Sequence, residues 1–213
     1  MAGSWVERSA VCGVTQAFPP EFSTLEFYNW HVETGPHVNV EMDIWGRIEA
    51  DLQRSDISSA AARLRRGSEG FFAAVCDGIQ AQMIYKMHGR WELGDFLPAA
   101  MGQYRSLLRE AKKAANSWKD KDQLEILQER ESTAKQIYTR TQAEQWAVNA
   151  NVHYNQWANF SVNDFKPVVE AFQDLYALFS CSRCSGLLHV VSKGTANENI
   201  RCSCGQGHWF RFV

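Results

Sequence analysis

The chain has 213 residues, of which 45% are hydrophobic and 22% charged, enough to bury a proper core and unlike a disordered composition. Its net charge of −2, with a pI near 6.3, excludes a global basic field that would draw in nucleic acid or anionic lipid. No apolar run approaches the ~20 residues needed to cross a bilayer, and MAGSWVERSAV lacks a basic stretch followed by an apolar segment. No signal peptide, no membrane partner and a cytoplasmic location are therefore expected.

The first regular element is expected in TLEFYNWHVETGP, beyond the Pro19-Pro20 pair. Leu25, Phe27, Tyr28, Trp30 and Val32 alternate imperfectly, which predicts one strand or a short hairpin with a shift of register. The period then becomes helical. Ile44, Ile48 and Leu52 recur in steps of four from Val40 to about Arg54, and Ser55-Asp56 supplies capping side chains. A second helix over 58–85 places Leu64, Phe71, Val75, Ile79 and Met83 on one face, with Cys76 beside that stripe as a buried, inert thiol. Gly67 and Gly70 weaken it by roughly 1 kcal/mol each relative to alanine.

HGRWELGDFLP interrupts the pattern. His88-Gly89 reads as a turn, Arg90 to Leu93 as extended, and Asp95 as the N-cap of a helix over about 96–113, with Pro98 in its first turn. Leu97, Ala100, Met101, Tyr104, Leu107, Leu108 and Ala111 form its stripe. Residues 119–150 are helical but polar, with Leu124, Leu127, Ile137 and Trp146 as anchors on an otherwise solvated face. A last helix, about 163–179, turns Phe165, Val169, Phe172, Leu175, Tyr176 and Phe179 to the core. Pro167 either fixes its start near Asn163 or Asp164 or kinks a helix begun at Ser161.

Six cysteines fall unevenly: Cys12 and Cys76 stand alone, while Cys181, Cys184, Cys202 and Cys204 crowd the last 33 residues. In a chain without a secretion signal, paired cysteines read as metal ligands before disulfides. A turn with two thiolates supplies half of the tetrahedron that zinc prefers, and a second turn across a hairpin completes it. LLHVV predicts a strand, GTANEN a loop and HWFRF the returning strand. The metal set is Cys181, Cys184, Cys202 and Cys204 around one structural Zn2+, although Cys-x-Cys is unusual and His208 could replace one of the second pair. Four protein ligands leave no open position for catalysis by the metal. The fold class follows: mainly α, with an N-terminal segment (1–40) carrying a strand or hairpin, a helical domain (41–179) and a C-terminal zinc ribbon (180–213).

Three motifs, YNWHVETGP, AARLRRGSEGFF…HGRWELGDFLP and NVHYNQWANFSVNDF leading into LYALFSCSRC, together resemble the C-terminal region of prokaryotic AAA-type ATPases of the SMC/RecF class. Many of those ATPases lie in phage-defence operons. The resemblance covers roughly residues 25–213. It implies a part in antiviral defence or DNA processing, and a protein partner, either an SMC-like ATPase or a second copy of the chain. The ATPase core is missing. No G-x-x-x-x-G-K-[ST] loop occurs, and Gly67, Gly70 and Gly78 are too far apart to make one. A non-catalytic subunit is expected.

Other constellations carry less. His153 after Asn149 and Asn151 is similar to the Arg-Asn-x(4–5)-His of HEPN ribonucleases, but Ala147 and Val148 stand where the arginine belongs, and Arg140 is thirteen residues upstream. His31, His37, Glu33 and Glu41 fix no metal geometry. Arg63, Arg65 and Arg66, and Lys112, Lys113, Lys119 and Lys121, are interleaved with acids and read as solvated faces. The better nucleic-acid case is the ribbon, with Arg183, Lys193, Arg201 and Arg211 beside Trp209 and Phe210. Eight tryptophans are many for this chain, and Trp30, Trp45, Trp91 and Trp209 near element ends favour an interface.

Overall fold

A computed structural model describes residues 27–31, 35–38, 43–87, 89–152, 160–192, 199–205 and 207–211, with side chains described over 43–87, 89–142, 160–192 and 199–205. Strands β1 (Phe27–His31) and β2 (Gly35–Val38) form an antiparallel hairpin whose register shifts between Phe27 and Asn29. Gly35 and Pro36, at the end of the run TLEFYNWHVETGP, open the second strand, with Pro36 opposite Trp30 at the edge of a two-stranded sheet. The main body is helical: α1 (Ile44–Gln53), α2 (Ile57–Gly78), α3 (Leu93–Ser117), α4 (Lys121–Val152) and α5 (Val162–Ala177). A three-stranded antiparallel sheet closes the chain, with β3 (His189–Val191), β4 (Asn199–Arg201) and β5 (Gly207–Arg211) adjacent in that order. The sequence predicts the outer two strands. It does not predict β4, which is only three residues long.

Helix starts follow side-chain chemistry. Asp43 and Asp56 each accept the amide three residues on, satisfying donors that the first turn leaves unpaired. At α3 the cap is Glu92 and not Asp95, so the extended reading holds through Glu92 and the helix starts at Leu93, one turn earlier than the sequence suggests. Asp95 sits three residues inside, where it accepts the Glu92 amide at 2.9 Å and pairs with Lys86. The Lys86 bond, then the Glu92 amide, holds the Asp95 carboxyl below its usual range. Pro98 consequently falls in the second turn. Ser161 and Asp164 make the reciprocal box at α5, so the earlier start is the one adopted and Pro167 again lies inside the helix.

Helix ends are set by three residues in left-handed geometry. Ser55 (φ 57°), Gln80 (φ 54°) and Lys119 (φ 58°) follow α1, α2 and α3. In each case the next amide reaches back five residues: Asp56 to Asp51, Ala81 to Cys76 and Asp120 to Ala115. Glycine ordinarily fills this position, since a Cβ there costs about 1 kcal/mol. This explains why α2 stops at Gly78 and not near 85. Ile79 is still buried as the cap, but Ile84, Tyr85 and Met87 lie in an exposed connection, where the Trp91 indole donates to the Ile84 carbonyl.

The core runs continuously through the bundle and into the ribbon, where Cys181, Leu188, Val190, Ile200 and Cys202 join it. Gly67 leaves room for Ile44 of α1, whose side chain occupies the place of a Cβ there. Gly78 does the same for the ribbon: a Cβ would lie 3.0 Å from the Leu188 carbonyl oxygen. Cys76 is buried, its thiol donating to the Phe96 carbonyl, and burial pushes it up to about 11, as suits an inert group. Trp45, half-buried at the margin of the core, packs edge-on against Tyr176, with centroids 4.9 Å apart. The side chains of Trp30, Trp146 and Trp209 lie outside the described residues.

One buried charge fastens α1 to α2. Asp51 is 1% exposed and accepts from both Arg54 and Arg63. Removing one member of such a set strands the rest, at about 3–5 kcal/mol. Asp51→Ala is therefore expected to lower stability by about 3 kcal/mol, read from a urea midpoint, whereas Asp174→Ala, at an exposed pair with Arg140, should cost under about 1 kcal/mol. Equal losses would contradict the assignment.

Candidate metal centre

The two cysteine turns are closed by backbone hydrogen bonds. Ser180 bridges Leu187, the Cys181 amide donates to the Gly186 carbonyl at 2.8 Å, and the Ser185 amide donates to the Cys181 carbonyl at 2.8 Å. Ser185 takes φ 54° to complete that loop. The second turn is tighter, with Gly205 (φ 77°) donating its amide to the Cys202 carbonyl at 3.0 Å. Pairing of β3 with β4, His189 opposite Arg201, brings the turns together.

The result is a cluster of Cys181, Cys184, Cys202 and Cys204 whose sulfur atoms all lie within 4.8 Å of one another. Sulfurs in a tetrahedron with metal bonds of ~2.3 Å stand about 3.8 Å apart. Cys181 and Cys204 are at 3.9 Å, while Cys202 and Cys204 are closer, at 2.8 Å, and would spread to take an ion. None of the four is disulfide-bonded. Cys181 and Cys202 are buried, and Cys184 and Cys204 are exposed. The four could hold a metal ion, and the short Cys-x-Cys spacing does not keep Cys204 out of the set. His208 pairs with Ile200 along the backbone, its side chain outside the described residues.

The sulfurs pull their acidities apart. The Gly186 amide, donating to Cys184, brings that thiol down to about 6. Burial pushes Cys181 up, but the amides of Cys184 and Arg183 outweigh it and leave the thiol lowered; the Arg183 N–H lies 3.4 Å from its sulfur. Contact with Cys204, then burial, pushes Cys202 up to about 12. Four crowded sulfurs cannot all ionise beside one another without a cation, whereas a divalent ion stabilises all four as thiolates. The donor set thus fits a thiophilic metal.

The remaining sequence candidates separate. Arg63 is engaged by Asp51, Arg65 by Glu69 and Glu92, and Lys112 by Glu131. Arg140 is engaged by Asp174, and His153 lies outside the described residues. His31 and His37 fall on the N-terminal hairpin, and Glu33 and Glu41 lie outside the described residues. Among the described residues, no helix is long and apolar enough to cross a membrane. Fold and site together define a mainly helical protein with a small N-terminal sheet and a C-terminal four-cysteine cluster able to take a metal. No protein-family model, curated protein or solved structure matches the chain.

Proposed function

We propose that this chain is a non-catalytic, zinc-stabilised helical subunit that works beside an SMC-like ATPase in a prokaryotic defence or DNA-processing complex. The observation that carries the zinc is the convergence of four sulfurs from two turns onto one point. Zinc suits them because thiolates favour soft or borderline ions and a four-sulfur set matches its tetrahedral preference. All four positions are filled by protein, so the ion supplies folding energy and leaves no site for a substrate. What it fastens is the ribbon, whose Leu188, Val190 and Ile200 extend the bundle core. The partner class rests on the motifs YNWHVETGP, HGRWELGDFLP and NVHYNQWANF, and on the absence from the sequence of any phosphate-binding loop.

Protein purified without chelator should contain about one zinc per chain, with X-ray absorption reporting four sulfur neighbours at ~2.3 Å. The same preparation should show no ATP turnover alone and should co-purify with an ATPase encoded beside it. Absence of zinc would overturn the metal assignment. ATP turnover that follows this chain through size exclusion would overturn the non-catalytic role, and failure to co-purify with the neighbouring ATPase would overturn the partner.

A further inference from the structure

The four cysteines of the cluster sort by access as well as by turn. Cys181 and Cys202 are each 2% exposed and belong to the core that the ribbon shares with the bundle, while Cys184 and Cys204 are exposed. Each turn therefore gives one sulfur to solvent and one to the interior. The exposed pair is also uncrowded. A Cβ on Gly186 would come within 3.2 Å of the Cys184 sulfur, so the glycine keeps that sulfur clear. A Cβ on Gly205, next to Cys204, would meet no described atom within 4 Å. Across the two turns the Cys184 and Cys204 sulfurs are in hydrogen-bond contact, inside the 4.8 Å span of the cluster. Cys76 shares none of these features: it is buried, and its thiol donates to the Phe96 carbonyl.

A metal-bound sulfur is a thiolate, and a thiolate open to solvent beside a second sulfur is the kind that peroxides oxidise. We propose that the cluster is a peroxide-responsive switch, in which a disulfide forms between Cys184 and Cys204 and the ion leaves, a regulation that rests on the zinc reading above. The Cys184 sulfur attacks one peroxide oxygen and breaks the O–O bond, giving a sulfenic acid and hydroxide. The Cys204 sulfur then attacks the sulfenic sulfur and expels a second hydroxide. Two electrons pass from the sulfur pair to the peroxide, and two protons from solvent turn the hydroxides into water. The sulfurs that remain, Cys181 and Cys202, are buried away from the oxidant. Two thiolates hold zinc far more weakly than four, because half of its tetrahedron passes to water. The ribbon then keeps its seam with α2, where the Leu188 carbonyl lies over Gly78, but loses the metal that fixes its turns. A reductant that opens the disulfide restores the four-sulfur set.

The test treats the purified full chain with excess hydrogen peroxide, follows zinc with a chromogenic chelator, then blocks free thiols and maps the cysteines in tryptic peptides. Cleavage after Arg183, Lys193, Arg201 and Arg211 puts Cys181, Cys184 and the pair Cys202 and Cys204 on three separate peptides. The expected product links residues 184–193 to 202–211, with fragmentation placing the bond on Cys204. It should form in step with release of about one zinc per chain, and a thiol reductant with added zinc should reverse both. Amide exchange in β3 and β4 should rise about tenfold or more as the ion leaves, with α3 and α5 unchanged. A chain carrying Cys12→Ser and Cys76→Ala should release zinc at the unaltered rate. Four outcomes overturn the switch: zinc held against excess peroxide, release with no disulfide, a bond between Cys202 and Cys204, or slower release in the Cys12 and Cys76 variant. Untreated protein without zinc would instead overturn the metal reading, and the switch with it.

Discussion

Cys181→Ser is expected to bring the metal from about one ion per chain to nearly none and to release the ribbon from the bundle while the helices stay folded. A serine hydroxyl is not a thiolate at neutral pH, so three ligands would remain for an ion that prefers four. Metal binding and local folding are one equilibrium in such modules, with apparent zinc energies of ~10–16 kcal/mol in isolated fingers. Among the described side chains of the ribbon, Leu188, Val190 of β3 and Ile200 of β4 join the core, together with the two buried cysteines. Hydrogen exchange should therefore accelerate about 100-fold or more in β3 and β4, with the amides of α3 and α5 far less affected. A strong chelator should reproduce the pattern in unaltered protein. Cys184→Ser, at an exposed ligand, should lose the metal as well, and Cys12→Ser should keep it. Retention of a full zinc equivalent by Cys181→Ser, or equal loss from Cys12→Ser, would show that the cluster is not the metal site.

The legible parts of this protein were those written in strong periodicity or strong chemistry. The stripe Leu97, Met101, Tyr104, Leu108 and Ala111 foretold α3, and all five side chains are buried. The cysteine spacing foretold a cluster across a hairpin. Less could be read where small residues make the contact. Among the described side chains of α4, those buried at the seam are Leu127, Ala134 and Thr141, seven residues apart, and only the first is a large apolar group. Thr141 escapes notice because its hydroxyl is satisfied by the Ile137 and Ala171 carbonyls, the second on α5. The end of α2 was hidden for a related reason. Periodicity continues through Ile79 to Met83, while the residue that turns the chain, Gln80, carries no glycine signature. Asp51 was equally silent, since nothing local distinguishes it from the solvated acids nearby. Its meaning comes from Arg63, twelve residues away on another helix.

Phe72→Ala and Phe179→Ala are expected to destabilise the bundle by similar amounts yet to differ in their effect on the metal. Both rings are essentially inaccessible, at 0% and 1% exposed. They meet edge to face at 5.7 Å, within a cluster where Phe71 stacks on Tyr176 at 3.7 Å and Tyr104 abuts Phe179 at 5.3 Å. Truncating either opens a cavity among side chains from α2, α3 and α5 that cannot all collapse into it. The expected cost is about 3–5 kcal/mol, or roughly 8–15 °C in Tm for a chain of this size. Phe179 has a second duty. Its carbonyl accepts the Leu188 amide at 2.9 Å, and it precedes Cys181 by only two residues. Loosening that position removes the fixed base on which the first cysteine turn is built. Phe179→Ala should therefore lose zinc to a competing chelator about tenfold more readily than the unaltered protein, at a temperature where the helices are intact. Phe72→Ala, within α2 and remote in sequence from both cysteine turns, should exchange zinc at the original rate. The discriminating measurement is chelator competition paired with thermal melts followed at the helical signal. Equal zinc lability in the two variants would mean that the ribbon responds only to the stability of the bundle as a whole, and that the Phe179 carbonyl gives the cysteine turn no specific support.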